Sequence, residues 1–237
     1  MNGLWSSLRL DMERCPIVTL VGGGGKTSAM YALAHEGKLA GKRVVVTTTT
    51  HIMPHPGLPL TGGAELPGLL DRYGAATVGV MTGRKLSGGL PAAECLAWAD
   101  LVLVEGDGAR LHPLKAPAEH EPVIPPESGA VIAVAGLDAL GQPIGTACHR
   151  PERVCALLGR ETDHPITPAD VASLLSHPLG GRKNVGPEMA FRCLLNKADD
   201  ETRRRQGEEI AALLERQGIP CAITYFTKEE RGGLCWF

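Results

Sequence analysis

Ile17-Val18-Thr19-Leu20-Val21-Gly22-Gly23-Gly24-Gly25-Lys26-Thr27-Ser28 is the stretch whose reading decides the fold. Its opening residues are β-branched or aliphatic, four glycines follow, and Ala29-Met30-Tyr31-Ala32-Leu33-Ala34 continues in helix-forming residues. That order predicts a buried strand, a tight loop and the start of a helix. Glycines let successive backbone N–H groups turn toward one anion. The helix adds its free amides and the positive end of its dipole. Gly22, Gly23, Gly24, Gly25, Lys26, Thr27 and Ser28 are therefore the expected phosphate-binding residues. Lys26 would be the mobile cation and the Thr27 hydroxyl a Mg²⁺ ligand.

The usual phosphate-loop pattern, G-x-x-x-x-G-K-[ST], would place glycine at position 20, where this chain has Leu20. What stands here is Gly22-x-x-Gly25-Lys26-Thr27, a tighter loop that resembles the shortened loops of the Mur ligases and their relatives. A glycine-rich turn that binds nothing is the alternative. The strand-to-helix junction is the context the motif needs, and it favours phosphate.

At 237 residues the chain is sized for a single α/β domain spanning 1–237, with room for a small helical elaboration at about 140–188. Hydrophobic residues make up 43% and charged residues 21%, which suits a soluble globular protein. A net charge of −2 gives no footprint for nucleic acid, and the apolar runs are too short for a membrane span. Arg9, Asp11, Glu13 and Arg14 near the N-terminus do not read as a secretory signal. Seven scattered cysteines without any C-x-x-C argue against a disulfide framework or a zinc site, so a reducing cytoplasm is expected.

Downstream of the loop, a helix over 26–39 broken at Gly41 leads to Val44-Val45-Val46-Thr47-Thr48-Thr49-Thr50, a strand buried on both faces. Residues 17–46 thus form a βαβ crossover. Thr49, Thr50 and His51 emerge at the carboxyl edge of the sheet, where ligands of open α/β sheets bind. They are candidates for holding a phosphate oxygen or metal-bound water. Leu101-Val102-Leu103-Val104 is a strand ending in Glu105-Gly106-Asp107, the form of a Walker B element. Either carboxylate can reach Mg²⁺ or orient attacking water.

Residues 111–126 then carry Pro113, Pro117, Pro122, Pro125 and Pro126, which forbid a helix and predict a rigid extended loop. Its Lys115 and His120 are either catalytic, phosphate-binding or simply exposed polar groups. Further strands are expected at 76–81, 130–135, 189–195 and 221–226, with helices at 66–73, 151–158, 167–175 and 200–217. The 189–195 strand ends in Asn196-Lys197-Ala198-Asp199, the N-K-x-D form that reads guanine in GTPases. There the Asp accepts hydrogen bonds from donors that adenine lacks. The competing reading makes Asn196 and Asp199 caps for the following helix. Thr227-Lys228 loosely resembles the last base-contacting loop of such proteins.

Four segments in order, G-G-G-G-K-T, T-T-T-T-H-I, E-x-D-G-A-R and L-K-A-P-A-E-H-E-P-V-I-P, resemble the YqeC family over residues 15–200. The resemblance implies an accessory role in maturing selenium-dependent molybdenum hydroxylases or their cofactor. It supplies no catalytic residue to carry over.

The expected fold is a P-loop nucleoside triphosphate hydrolase-like three-layer α/β sandwich with a mostly parallel sheet of six or seven strands. The expected function is Mg-GTP or Mg-ATP binding with NTPase or phosphoryl-transfer activity, carried by Lys26, Glu105, Asp107, Lys115 and His120. Thr27, Glu105 and Asp107 would hold the metal, and Asn196, Lys197 and Asp199 the base. One alternative is a Mur-ligase-like or kinase-like ATP-dependent enzyme acting on a small cofactor precursor. A nucleotide-gated chaperone with little turnover is another.

Overall fold

A computed structural model describes residues 3–54 and 57–227. The chain opens with a short helix, α1 (Leu4–Ser7), and reaches strand β1 (Ile17–Gly22), whose first five residues are buried. Helix α2 (Lys26–Leu39) covers the length expected for it, and β2 (Val44–Thr48) completes the crossover. Two short strands, β3 (His51–Ile52) and β4 (Leu60–Thr61), precede helix α3 (Leu66–Tyr73) and strand β5 (Ala75–Val78).

The predicted strand over 76–81 is divided at Gly79, where a Cβ would lie 2.5 Å from the Ser87 carbonyl oxygen. The chain leaves the main sheet there and forms a hairpin from β6 (Val80–Thr82) and β7 (Lys85–Ser87). Gly83-Arg84-Lys85, which reads as a basic loop or an exposed turn, is the exposed tip of that hairpin. Helix α4 (Ala92–Cys95) follows Pro91 and leads into β8 (Leu101–Glu105).

The proline-rich stretch is largely without regular structure. It contributes only β9 (Leu114–Lys115), a two-residue strand outside the main sheet, which the prolines permit. Next come β10 (Ala130–Gly136), a 3₁₀ turn at Leu137–Ala139, α5 (Ile144–Ala147) and β11 (Cys148–His149). Helices α6 (Pro151–Leu158) and α7 (Pro168–Ser176) follow. Thr167 and Asp170 close a reciprocal capping box on α7. The chain then forms β12 (Ala190–Asn196), α8 (Glu201–Glu215) and β13 (Cys221–Ile223). The predicted last strand is shorter than 221–226, and Lys228 lies outside the described residues.

The main sheet has eight strands in the order β13-β12-β10-β1-β8-β2-β5-β4, all paired in parallel. The sheet is therefore wider than the expected six or seven. The added edge strand, β4, is two residues long and too short to leave a periodic signature. The layered α/β sandwich around a parallel sheet is otherwise the architecture expected.

Alternation along each strand makes the layers. Val18, Leu20, Val44, Val46, Leu101, Leu103 and Ile132 face α1 and α2. On the other face, Val131, Ala133 and Ala135 meet α7 and α8, while Val45, Val102 and Val104 meet α3 and α4. Val154 of α6 and Leu174 of α7 share that second core, so helices from the 140–188 stretch help to cover the sheet. Each such fully buried aliphatic side chain contributes roughly 1.5–3 kcal/mol.

Strand order, not strand direction, reverses at β1. The chain leaves β1 for β2 on one side, returns to β8 beside β1, and continues to β10 on the other side. In open parallel sheets that reversal opens a crevice at the carboxyl ends of the central strands. The four glycines lie there.

Candidate functional site

The glycine loop is held tightly by its neighbours. A Cβ on Gly24 would approach the Gly136 amide nitrogen to 2.1 Å, and Gly24 has φ 73. Gly25, with φ 116, would collide with the Asn196 side chain at 2.2 Å. Only glycine satisfies both the left-handed backbone and the close approach. Three loop amides already have protein acceptors. Gly22 N–H donates to Asp107 at 3.0 Å, Gly23 N–H to the Val134 carbonyl at 2.9 Å, and Gly24 N–H to the His112 carbonyl at 3.1 Å.

The amides of Gly25, Lys26, Thr27 and Ser28 have no acceptor among the described residues. These are the free donors at the first turn of a fourteen-residue helix, where its dipole also favours an anion. Part of the predicted cradle is thus open, and part is engaged with the sheet and the proline-rich segment.

Beside these amides the structure brings together Lys26, Thr27, Glu105 and Asp107. The Lys26 ammonium donates to the Gly22 carbonyl at 2.6 Å and lies 3.3 Å from Asp107 and 3.7 Å from Glu105. Burial opposes its charge, but the two carboxylates outweigh burial and raise its pKa. Glu105 shifts upward because burial exceeds the help it receives from Lys26 and from the Thr27 hydroxyl, which donates to it at 2.9 Å. The Thr27 hydroxyl and the Glu105 carboxylate are two oxygen donors of the kind a hard divalent cation takes. In this state the lysine ammonium supplies the positive charge between the two acids.

Asp107 has a different set of partners. It anchors the Gly22 amide and also faces Lys115 at 2.9 Å. Lys115 in turn meets Glu121 at 2.7 Å and donates to the Gly108 carbonyl at 2.7 Å. Glu121 closes the chain by receiving both guanidinium nitrogens of Arg150, at 2.7 and 3.2 Å. The pairing of β9 with β11 sets His149 opposite Lys115 and so delivers Arg150. Sequence reading singled out Lys115 but missed Arg150. A lone arginine ahead of Pro151 carries no spacing signal.

Burial would raise the Glu121 carboxyl, yet Lys115 and Arg150 bring it down to about 2. A carboxylate whose folded pKa is depressed adds stability above its unfolded pKa and loses it as pH falls through the folded value. Glu121→Gln is therefore expected to cost on the order of 2–3 kcal/mol near neutral pH. That gap should close as pH drops from 4.5 toward about 2. Urea denaturation of both proteins across this window checks it. The difference between them is the readout, because Asp100 and Asp170 are also lowered while Glu105 is raised.

The predicted base-reading residues adjoin the loop. Asn196 is buried, and its amide donates to the Gly24 carbonyl at 2.8 Å. Lys197 takes φ 66, and its ammonium meets Asp138 at 2.6 Å. Asp199 is about one-third exposed and lies 3.5 Å from Arg203. The cap of α8 is Asp200, which accepts from the Arg203 amide, so capping requires neither Asn196 nor Asp199.

The other predicted residues are placed differently. Thr49 lies against the acid-ended strand, its amide donating to the Glu105 carbonyl at 3.1 Å and its hydroxyl to the Val123 carbonyl at 2.9 Å, and the Thr50 amide donates to Thr48. His51 is exposed on β3, opposite Ser87. His120 is exposed on a turn and makes no polar contact among the described residues. Those residues contain no cluster of three metal-ligating His, Cys, Asp or Glu side chains, and no helix long and apolar enough to cross a membrane.

Comparison with known proteins gives three likenesses. The family model described as YqeC protein matches residues 18–152. The protein named "Uncharacterized protein YqeC" from Escherichia coli (strain K12) is 35% identical over 201 residues, covering 76% of each chain. Among solved structures, chloroplast FtsY from Physcomitrella patens is similar at 18% identity and a TM-score of 0.43. That likeness covers 90% of this chain and 59% of FtsY, so the chain spans less than two thirds of that protein.

Proposed function

The chain belongs to the YqeC family, and on that premise we propose that it binds a magnesium nucleoside triphosphate and transfers or hydrolyses its terminal phosphoryl group. One observation carries this reading. Lys26, Thr27 and Glu105 converge beside four free amides where the strand order of the sheet reverses. The amides of Gly25 to Ser28 would bind phosphate oxygens, and Lys26 would leave its two carboxylates to meet the β- and γ-phosphates. Thr27 and Glu105 would hold Mg²⁺, which would supply positive charge against the negative charge that develops on the transferred phosphoryl group. Asp107 would keep the Gly22 turn in place, a positioning role consistent with its contacts to Gly22 and Lys115. In line with the YqeC resemblance, the transfer would serve maturation of a selenium-dependent molybdenum hydroxylase or its cofactor.

Guanine is the proposed base. Asn196 ties the N-K-x-D segment to the loop, and Asp199 stands partly exposed at its edge. Titrating GTP and ATP, each with and without Mg²⁺, into the wild type and Asp199→Ala tests this. A carboxylate accepting two hydrogen bonds gives an expected GTP preference of about ten- to a hundredfold, lost in the variant. An ATP preference in the wild type, or a GTP preference that survives Asp199→Ala, would defeat the assignment.

A further inference from the structure

The charge network running from the glycine loop ends in a cluster that nucleotide binding does not use. Arg110 is exposed and makes no hydrogen bond or ion pair among the described residues. His112 and His149 stack, with ring centroids 6.0 Å apart and planes 17° from parallel. Neither ring hydrogen-bonds to a described residue. Arg150 follows His149 directly and gives Glu121 only two of its five N–H donors. Arg110 and Leu111 both adopt left-handed backbone, at φ 47 and 67, and the Leu111 side chain is 100% exposed. That conformation is costly for residues other than glycine, and such costs concentrate where side chains must be presented to a ligand.

We propose that Arg110, His112, His149 and Arg150 form a second binding site, one that receives the oxyanion group of a small acceptor molecule beside the glycine loop. The site adjoins the loop directly, because the His112 carbonyl accepts from Gly24 N–H. It is also linked to Lys26 by an unbroken series of contacts through Asp107, Lys115 and Glu121. The net field there favours an anion. His149 is lowered by burial and by Arg150, Lys115 and Arg110, against which only Glu121 acts among its strongest influences. Two unpartnered imidazoles supply donors that can turn to an oxygen, and Arg110 supplies a free planar fork for a phosphate or carboxylate. The acceptor role rests on the reading that residues 22–28 hold a nucleotide, whereas anion binding at this cluster does not.

The test follows the histidine ring signals of the full chain by NMR while inorganic phosphate or succinate is added. The assigned His112 and His149 signals are expected to move saturably with at least one anion, in the wild type and equally in Lys26→Ala. A response to phosphate alone assigns a phosphorylated acceptor, and one to succinate alone a carboxylate. Arg110→Ala removes an exposed, unpaired side chain and should weaken the response about tenfold or more. The proposal is overturned if neither anion moves the rings saturably or if Arg110→Ala leaves the response unchanged. It is equally overturned if the response disappears in Lys26→Ala, since the anion then belongs to the glycine loop. The nucleotide reading fails separately, by unchanged nucleotide affinity in Lys26→Ala.

Discussion

Lys115→Met is expected to lower the unfolding free energy by about 3–5 kcal/mol, the cost of removing one partner from a buried ion network. The Lys115 side chain is 1% exposed and meets Asp107, itself 2% exposed, together with Glu121. Methionine fills a similar volume but leaves two carboxylates facing each other with only Lys26 and Arg150 to balance them. The loss should appear in urea as a lower midpoint with an unchanged slope. A second change refines the test. Adding Asp107→Asn to Lys115→Met removes one unpaired charge and should recover part of the stability, a coupling that distant sites would not show. If Lys115 were instead a surface ligand for phosphate, its replacement would shift stability by less than about 0.5 kcal/mol. That smaller value would refute the buried-network account.

Lys115 also marks where sequence reading stops. Continuous runs of aliphatic and β-branched residues identified β1, β2, β8 and β10, because strands of a parallel sheet are apolar on both faces. Glycine, lysine and threonine at a strand-to-helix junction then located the loop. Pairing across the fold was not legible. Lys115 and His149 are joined by strands of two residues, too short for any period, and only that pairing brings Arg150 to Glu121. Engagement of the loop was hidden for the same reason. The acceptors for Gly22, Gly23 and Gly24 come from positions 107, 134 and 112, far away in sequence. The threonine run shows the converse. The continuous β-branched run placed Thr47 and Thr48 as buried strand residues, whereas beyond the strand end Thr49 donates its amide to the Glu105 carbonyl and its hydroxyl to Val123, and His51 is exposed. Backbone contacts of this kind leave no mark in sequence.

Lys26→Ala is expected to weaken triphosphate binding about a hundredfold, as loss of charge-assisted hydrogen bonds to phosphate implies. The lysine is already poised at the loop, 2.6 Å from the Gly22 carbonyl, so little ordering is needed when phosphate arrives. Its present partners, Glu105 and Asp107, would be released toward Thr27 and Lys115, with which they already make contact. The same exchange makes the variant informative without Mg²⁺. Alanine leaves Glu105 without its nearby cation, so burial should raise that carboxyl further and make the folded state favour protonation there. Above the unfolded pKa such a group costs stability, so binding must be measured where urea unfolding shows the variant intact. Thr27→Ala separates the two roles. It should abolish most of the gain in affinity that Mg²⁺ gives while leaving metal-free binding largely in place, whereas Lys26→Ala should lower affinity under both conditions. Unchanged affinity in Lys26→Ala, by isothermal titration with GTP and ATP, would remove the phosphate role from the glycine loop.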